Sequence, residues 1–161
     1  MTHTEKQAAS PEPNAERPEV FESKEQEAYL GLIRTHEQFT GGFARLFAQH
    51  ALSMPQYNVL RILRGAGPGG VPVQKIAERM VTRDPDVTRL VDRLVKTGYV
   101  SRKRCDADRR VVWVRLTERG AELLGSLDQP VRDLHRAQLA HMNETELTVL
   151  IGLLAKARRR E

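Results

Sequence analysis

The strongest constraint on this chain is a change of hydrophobic period at Gly98. Before it, Val87, Leu90, Val91 and Leu94 recur at three- and four-residue steps, which gives a helix one apolar stripe. Asp84 is a candidate N-cap for that helix, and Pro85 suits its first turn, where a missing N–H costs nothing. Gly98 then closes it. Beyond Gly98 the period falls to two. Val100 with Arg102-Lys103-Arg104, and then Val112, Val114 and Leu116, predict two short strands joined by the polar turn Cys105-Asp106-Ala107-Asp108.

Charge follows the same boundary. Arg83 to Arg119 carries eleven Lys or Arg against six acids, a net +5 that equals the formal charge of the whole chain. Cations gathered on one helix face and one hairpin are the footprint expected for phosphate binding, whose affinity comes largely from counterion release. A helix followed by a charged hairpin is the outline of a winged helix-turn-helix, a motif whose expected partner is double-stranded DNA.

The run Asp108-Arg109-Arg110-Val111-Val112-Trp113-Val114-Arg115-Leu116-Thr117-Glu118-Arg119-Gly120 resembles the wing signature D-x-R-x-x-x-V-x-L-T-x-x-G of MarR-type transcriptional regulators, with every fixed position filled. The preceding VTRLVDRLVKTGYVSR is similar to that family's recognition helix and its exit, and the likeness extends over roughly residues 52 to 124. It implies a mainly α fold with a small β-hairpin wing, in which a winged helix-turn-helix lobe is joined to a region of long dimerisation helices. It also implies a twofold dimer over a pseudo-palindromic site, and release from DNA by a small phenolic or anionic aromatic effector.

The chain has 161 residues, enough for one domain with a proper core or a smaller domain with long arms. It has no apolar run of about 18 residues and no signal-peptide core at its N-terminus, so the expectation is a cytoplasmic protein without a membrane partner. One cysteine, Cys105, allows no internal disulfide, and five scattered histidines give no ligand cluster, so no metal and no cofactor are expected. No nucleophile-base-orienter set is evident, and the loop Gly65-Ala66-Gly67-Pro68-Gly69-Gly70 lacks the Lys-Ser/Thr of a phosphate loop. An enzyme is therefore not expected.

In chain order, residues 1–27 carry seven Glu against three Lys or Arg, with Pro11, Pro13 and Pro18, and read as a disordered acidic arm. Residues 28–52 form a first, dimerising helix with Leu32, Ile33, Phe39, Phe43, Leu46 and Phe47 on its stripe; Gly41-Gly42 mark either a kink or close approach of a second helix. Residues 53–117 are the DNA-binding lobe. A helix capped at Ser53 buries Tyr57, Leu60 and Leu63, and a third helix runs from Pro72 to about Met80. Residues 118–161 supply the last two helices. Pro130 is expected to bend or break the first of them near Ser126 to Gln129, and the second, opened by an Asn143/Glu146 capping box, is expected to bury Leu147, Leu150, Ile151 and Leu154.

The candidate DNA-binding residues are Arg83, Asp86, Thr88, Arg89, Arg93, Lys96, Asp108, Arg109 and Arg110. Thr88 and Arg89 suit base reading, because threonine can touch a thymine methyl and arginine can bridge guanine. Asp92, on the same face, needs a cation from Arg89, Lys96 or the wing. Asp106 and Asp108 can accept backbone N–H groups in the tight turn, Asp108 can also hold Arg110 by a charge-assisted bond, and either Arg109 or Arg110 can enter a minor groove. His36, Phe39, Phe43, Phe47, Tyr57 and Arg61 suit an effector pocket as well as they suit core. Two other readings stay open: a nonspecific architectural DNA binder, and a redox-responsive regulator using Cys105, whose cationic neighbours favour a thiolate.

Overall fold

In the computed structural model, which describes residues 21–81, 86–104 and 108–159, the chain runs α1 (Lys24–Ala48), α2 (Met54–Ala66), β1 (Val71–Pro72), α3 (Val73–Arg79), α4 (Val87–Lys96), β2 (Val100–Arg104), β3 (Val112–Leu116), α5 (Glu118–Gln138) and α6 (Glu144–Ala157). The chain divides into two units, residues 1–36 and 37–161. In the first, the described residues are the start of α1, which begins four residues earlier than expected. Glu25 and Glu27 lie in its first turn, where the helix dipole favours anions, and the exposed backbone N–H of Glu25 helps to hold that carboxyl below its usual range. The remainder of the acidic arm, residues 1–20, lies outside the described residues.

The second unit is built around a continuous apolar cluster in which Phe47, Val59, Leu60, Leu63, Ile76, Val91, Leu94, Val114, Leu124 and Leu127 are almost completely buried. Most of its members come from α2, α4, β3 and α5, so α4 and the base of the hairpin share one core. The three strands form an antiparallel sheet in the order β1-β3-β2. β1 was absent from the sequence reading, which had Pro72 starting a helix. Instead Val71 pairs with Val114 and Pro72 with Trp113, and the helix starts at Val73. A proline is tolerated there because β1 is an edge strand and needs no second ladder bond.

Local signals worked where both partners lie close in sequence. Ser53 accepts from Gln56 N while Gln56 Oε1 accepts from Ser53 N, and Asn143 and Glu146 repeat that reciprocal box at α6. Gly42 sits where an added Cβ would meet Gln138 Nε2 at 3.0 Å and Leu134 Cδ1 at 3.3 Å, so α5 is the close neighbour; beside Gly41 only Arg45 Nη1 lies near, at 3.6 Å. Gln138 Nε2 also donates to Phe39 O at 2.9 Å.

Two expectations about the last helices need correction. α5 is not broken at Pro130: it runs on to Gln138, with Leu127 and Val131 on either side of the proline buried in the core. A bidentate pair from Arg64 Nη1 and Nη2 to Asp128 Oδ2 and Oδ1, at 2.9 and 2.8 Å, ties α5 to α2 just before it. In α6 no residue is buried: Leu147, Leu150 and Leu154 are half-covered, and Ile151 is 67% exposed. The apolar stripe exists, but the described residues offer it no covering layer.

Candidate nucleic-acid interface

α4 is positioned by both of its faces. Val87, Leu90, Val91 and Leu94 are buried in the core cluster, which leaves Thr88, Arg89, Arg93 and Lys96 exposed on the other side. The N-cap is Asp86 rather than Asp84: its Oδ1 accepts from Arg89 N at 3.1 Å, and its Oδ2 lies 2.8 Å from Arg89 Nε. Asp86 therefore orders the first turn and Arg89. Arg83, Asp84 and Pro85 lie outside the described residues.

The far end of α4 is locked to the wing by the residues that make the C-terminal half of the signature. Gly98 adopts φ +76°, a left-handed conformation that closes the helix and that side chains resist. Thr117 Oγ1 donates to Gly98 O at 2.7 Å and accepts from Gly120 N at 3.1 Å, so one hydroxyl both ties the wing base to the end of α4 and caps α5. Gly120 is required sterically, since a Cβ there would collide with Tyr99 O and with the Leu116 side chain. Val114 is fully buried.

The strands pair from Val100↔Leu116 to Arg104↔Val112. At the tip, Asp108 Oδ1 accepts from the backbone N–H of Arg110 at 2.9 Å, an Asx-type turn. The turn role expected of Asp108 is therefore present, whereas the expected contact with the Arg110 guanidinium is not: the carboxylate takes the near backbone donor, and the Arg109 and Arg110 side chains are left exposed. Cys105, Asp106 and Ala107 lie outside the described residues. Trp113 is half-buried, facing Pro72 on one side of the ladder and Lys103 on the other. Arg115, by contrast, is used inside the fold, donating through Nε to Gly69 O at 3.2 Å.

Thr88 and Asp92 of α4, Arg102 and Arg110 of the hairpin, and Gln74 of α3 line one cleft of about 240 Å³. Helix and wing therefore present their polar residues on the same side. Asp92 is paired with Arg102, which settles its partner among the three considered.

A second cavity, of about 180 Å³, is walled by Phe43, Phe47, Met54, Pro55 and Val131, with Tyr57, Asn58, Arg61 and His135 as its polar edge. Four of the six effector candidates meet there. Phe47 stacks on Tyr57 at 4.3 Å, Arg61 lies 5.9 Å over the Tyr57 ring, and Phe43 contacts His135 at 4.7 Å. Phe39 is not among the lining residues, and His36 belongs to the other unit. Val131 and His135 were missed because no local pattern reports that α5 returns to α1. Among the described residues no group of His, Cys, Asp and Glu is arranged to hold a metal ion, and no helix is long and apolar enough to cross a membrane.

Residues 52–112 match the family model described as MarR family. A MarR transcription factor of Planctomyces limnophilus is 45% identical, with a TM-score of 0.68 over 84% of this chain and 98% of that one. An HTH-type transcriptional regulator of Bacillus subtilis, YfiV, is 32% identical across 67% of this chain and 66% of its own length. A mutant MarR of E. coli, crystallised in complex with operator DNA, shares the fold at 24% identity, with a TM-score of 0.74 over 83% of this chain and 94% of that one. With six helices and a three-stranded sheet among its described residues and a complete wing signature, this chain belongs to the MarR family of DNA-binding transcriptional regulators.

Proposed function

We propose that the chain is a repressor that binds a pseudo-palindromic operator as a homodimer and is released by a small aromatic or anionic effector. The observation that carries the DNA assignment is the shared cleft: Thr88 on the helix and Arg110 on the wing line one space, with Arg89, Arg93, Lys96 and Arg109 exposed. A helix seated in a major groove would bring Thr88 and Arg89 to base edges and Arg93 and Lys96 to phosphates, while Arg109 or Arg110 entered the adjacent minor groove. Asp86 and Asp108 serve this surface by ordering Arg89 and the wing turn.

The dimer rests on uncovered apolar helix surface. Val149, Ile151 and Leu153 of α6 are more than half exposed, and so is Tyr29 of α1. Such stripes favour a second copy, and twofold symmetry repeats the recognition helix at a spacing of about one turn of duplex. The effector assignment rests on the smaller cavity, whose apolar walls carry a guanidinium at one edge. Its volume is similar to the ~150 Å³ of an engineered apolar cavity that holds benzene.

Selection of bound duplexes from a random pool tests the reading. Enrichment of a two-half-site sequence is expected; an unenriched pool, bound with steep salt dependence but no preference, would leave only nonspecific binding.

A further inference from the structure

We infer that Arg102 is a positioning residue for DNA recognition: it acts through Asp92, clasping the outer strand of the wing to the recognition helix. The inference rests on the DNA-binding reading of this surface. Along β2 only Val100 is buried, and Ser101, Arg102, Lys103 and Arg104 are all exposed. Apolar packing therefore fixes the base of the hairpin and ends there. Arg102 stands opposite Val114, halfway along the ladder, and its Nη1 donates to Asp92 Oδ1 on the exposed side of α4. This ion pair joins the two DNA-facing elements beyond the core, across the mouth of the cleft that Thr88 and Arg110 also line.

Its placement has two consequences. A carboxylate one turn beyond Thr88 would repel phosphate and could accept from cytosine N4; held by Arg102, it is neutralised and occupied. Arg89 is not available for that task in the same way, since its Nε is engaged by Asp86. The hairpin also acquires a fixed spacing from α4 at mid-strand, so the tip residues Arg109 and Arg110 are offered to the duplex at a set distance from Thr88 and Arg89. An arginine that merely contacted phosphate would raise affinity for every sequence alike; a clasp raises affinity for the sequence whose groove spacing it matches.

A double-mutant cycle of Arg102→Ala and Asp92→Asn separates the two. Affinity would be measured by anisotropy on the duplex enriched from the random pool and on a scrambled duplex of equal composition, across a salt series. Enrichment of a duplex by the wild-type chain comes first, so failure of the DNA reading would be seen before the cycle began. Each single variant is expected to lower the preference for the enriched duplex about tenfold, and the double variant no further than either single one. Arg102→Lys is expected to recover part of the preference. Both positions are at the surface, so melting temperatures of all four variants should stay within a few degrees of wild type. Equal losses on both duplexes that add in the double variant, with the salt slope reduced by about one for Arg102→Ala, would overturn the inference. So would a loss of preference in Arg102→Ala alone.

Discussion

α4 and α6 begin alike and end differently. Each is opened by an Asx residue that caps it, Asp86 and Asn143, and each carries a run of apolar residues at helical spacing. In α4 all four stripe residues are buried, while in α6 none is. Capping and periodicity decide that a helix forms and which face is apolar; they do not decide what covers that face. For α4 the cover is supplied by α2, α3 and the hairpin base within the chain, which frees its polar face for DNA. For α6 the described residues supply no such cover, and a second copy is the occupant proposed above.

The largest contrast should appear on truncating the two stripes. Leu94→Ala removes a fully buried side chain and is expected to cost about 3 kcal/mol of unfolding free energy, read as a lowered urea midpoint. The same truncation at Ile151 should cost the isolated chain far less, and an equal cost would break the comparison. On the polar face of the recognition unit, Arg109→Ala with Arg110→Ala is expected to lose about 2 kcal/mol or more of binding to the enriched duplex with an unchanged melting temperature. Unaltered affinity would remove the wing from the interface.

Ile151→Asp tests the covered-by-a-copy reading. At micromolar concentration light scattering should move toward the 18.3 kDa of one chain, by a shift in dissociation constant of at least about tenfold (about 1.4 kcal/mol). A dimer of undiminished stability would show that α6 is not its seam. Smaller still are the glycines of α1. Gly41→Ala should stabilise by up to about 1 kcal/mol through helix propensity, whereas Gly42→Ala should gain less, because Gln138 and Leu134 would have to yield.

The Arg64–Asp128 pair gives the smallest effect. The two Arg64 bonds hold the Asp128 carboxyl below its ordinary 3.8. A carboxylate lowered in the folded state adds stability that is present above that value and is lost as pH falls through the folded one. Asp128→Asn should therefore flatten the acid limb of the stability profile around and below pH 4. Both partners are about one-third exposed, so the change should stay under about 1 kcal/mol. An unchanged acid limb would show that the pair contributes nothing.

These cases also show what could be read from residues alone. The wing signature, the stripe of α4, the N-cap at Ser53 and the capping box at Asn143 were legible because each encodes its own partner within a few positions. Gly120 and Thr117 could be recognised as fixed positions of the wing, although the reasons for them, Tyr99 and Gly98, emerge only in the folded chain. β1 was not legible, since two residues make no pattern. Neither was the survival of α5 across Pro130, which depends on neighbours elsewhere in the core. His135 joined the small cavity for the same reason, through a return of α5 onto α1 that no local period announces. Asp92 was visible as an acid in need of a cation, but that the wing's Arg102 answers it is seen only in the folded chain.

The central claim is that the exposed face of α4 and the tip of the wing grip DNA together. Amide chemical-shift mapping of the chain on adding the enriched duplex tests it most directly. The largest changes are predicted at Thr88, Arg89, Arg93, Lys96 and Asp108 to Arg110, with the scrambled duplex giving weaker changes there. Perturbation concentrated on other elements, with α4 and the wing unmoved, would contradict it.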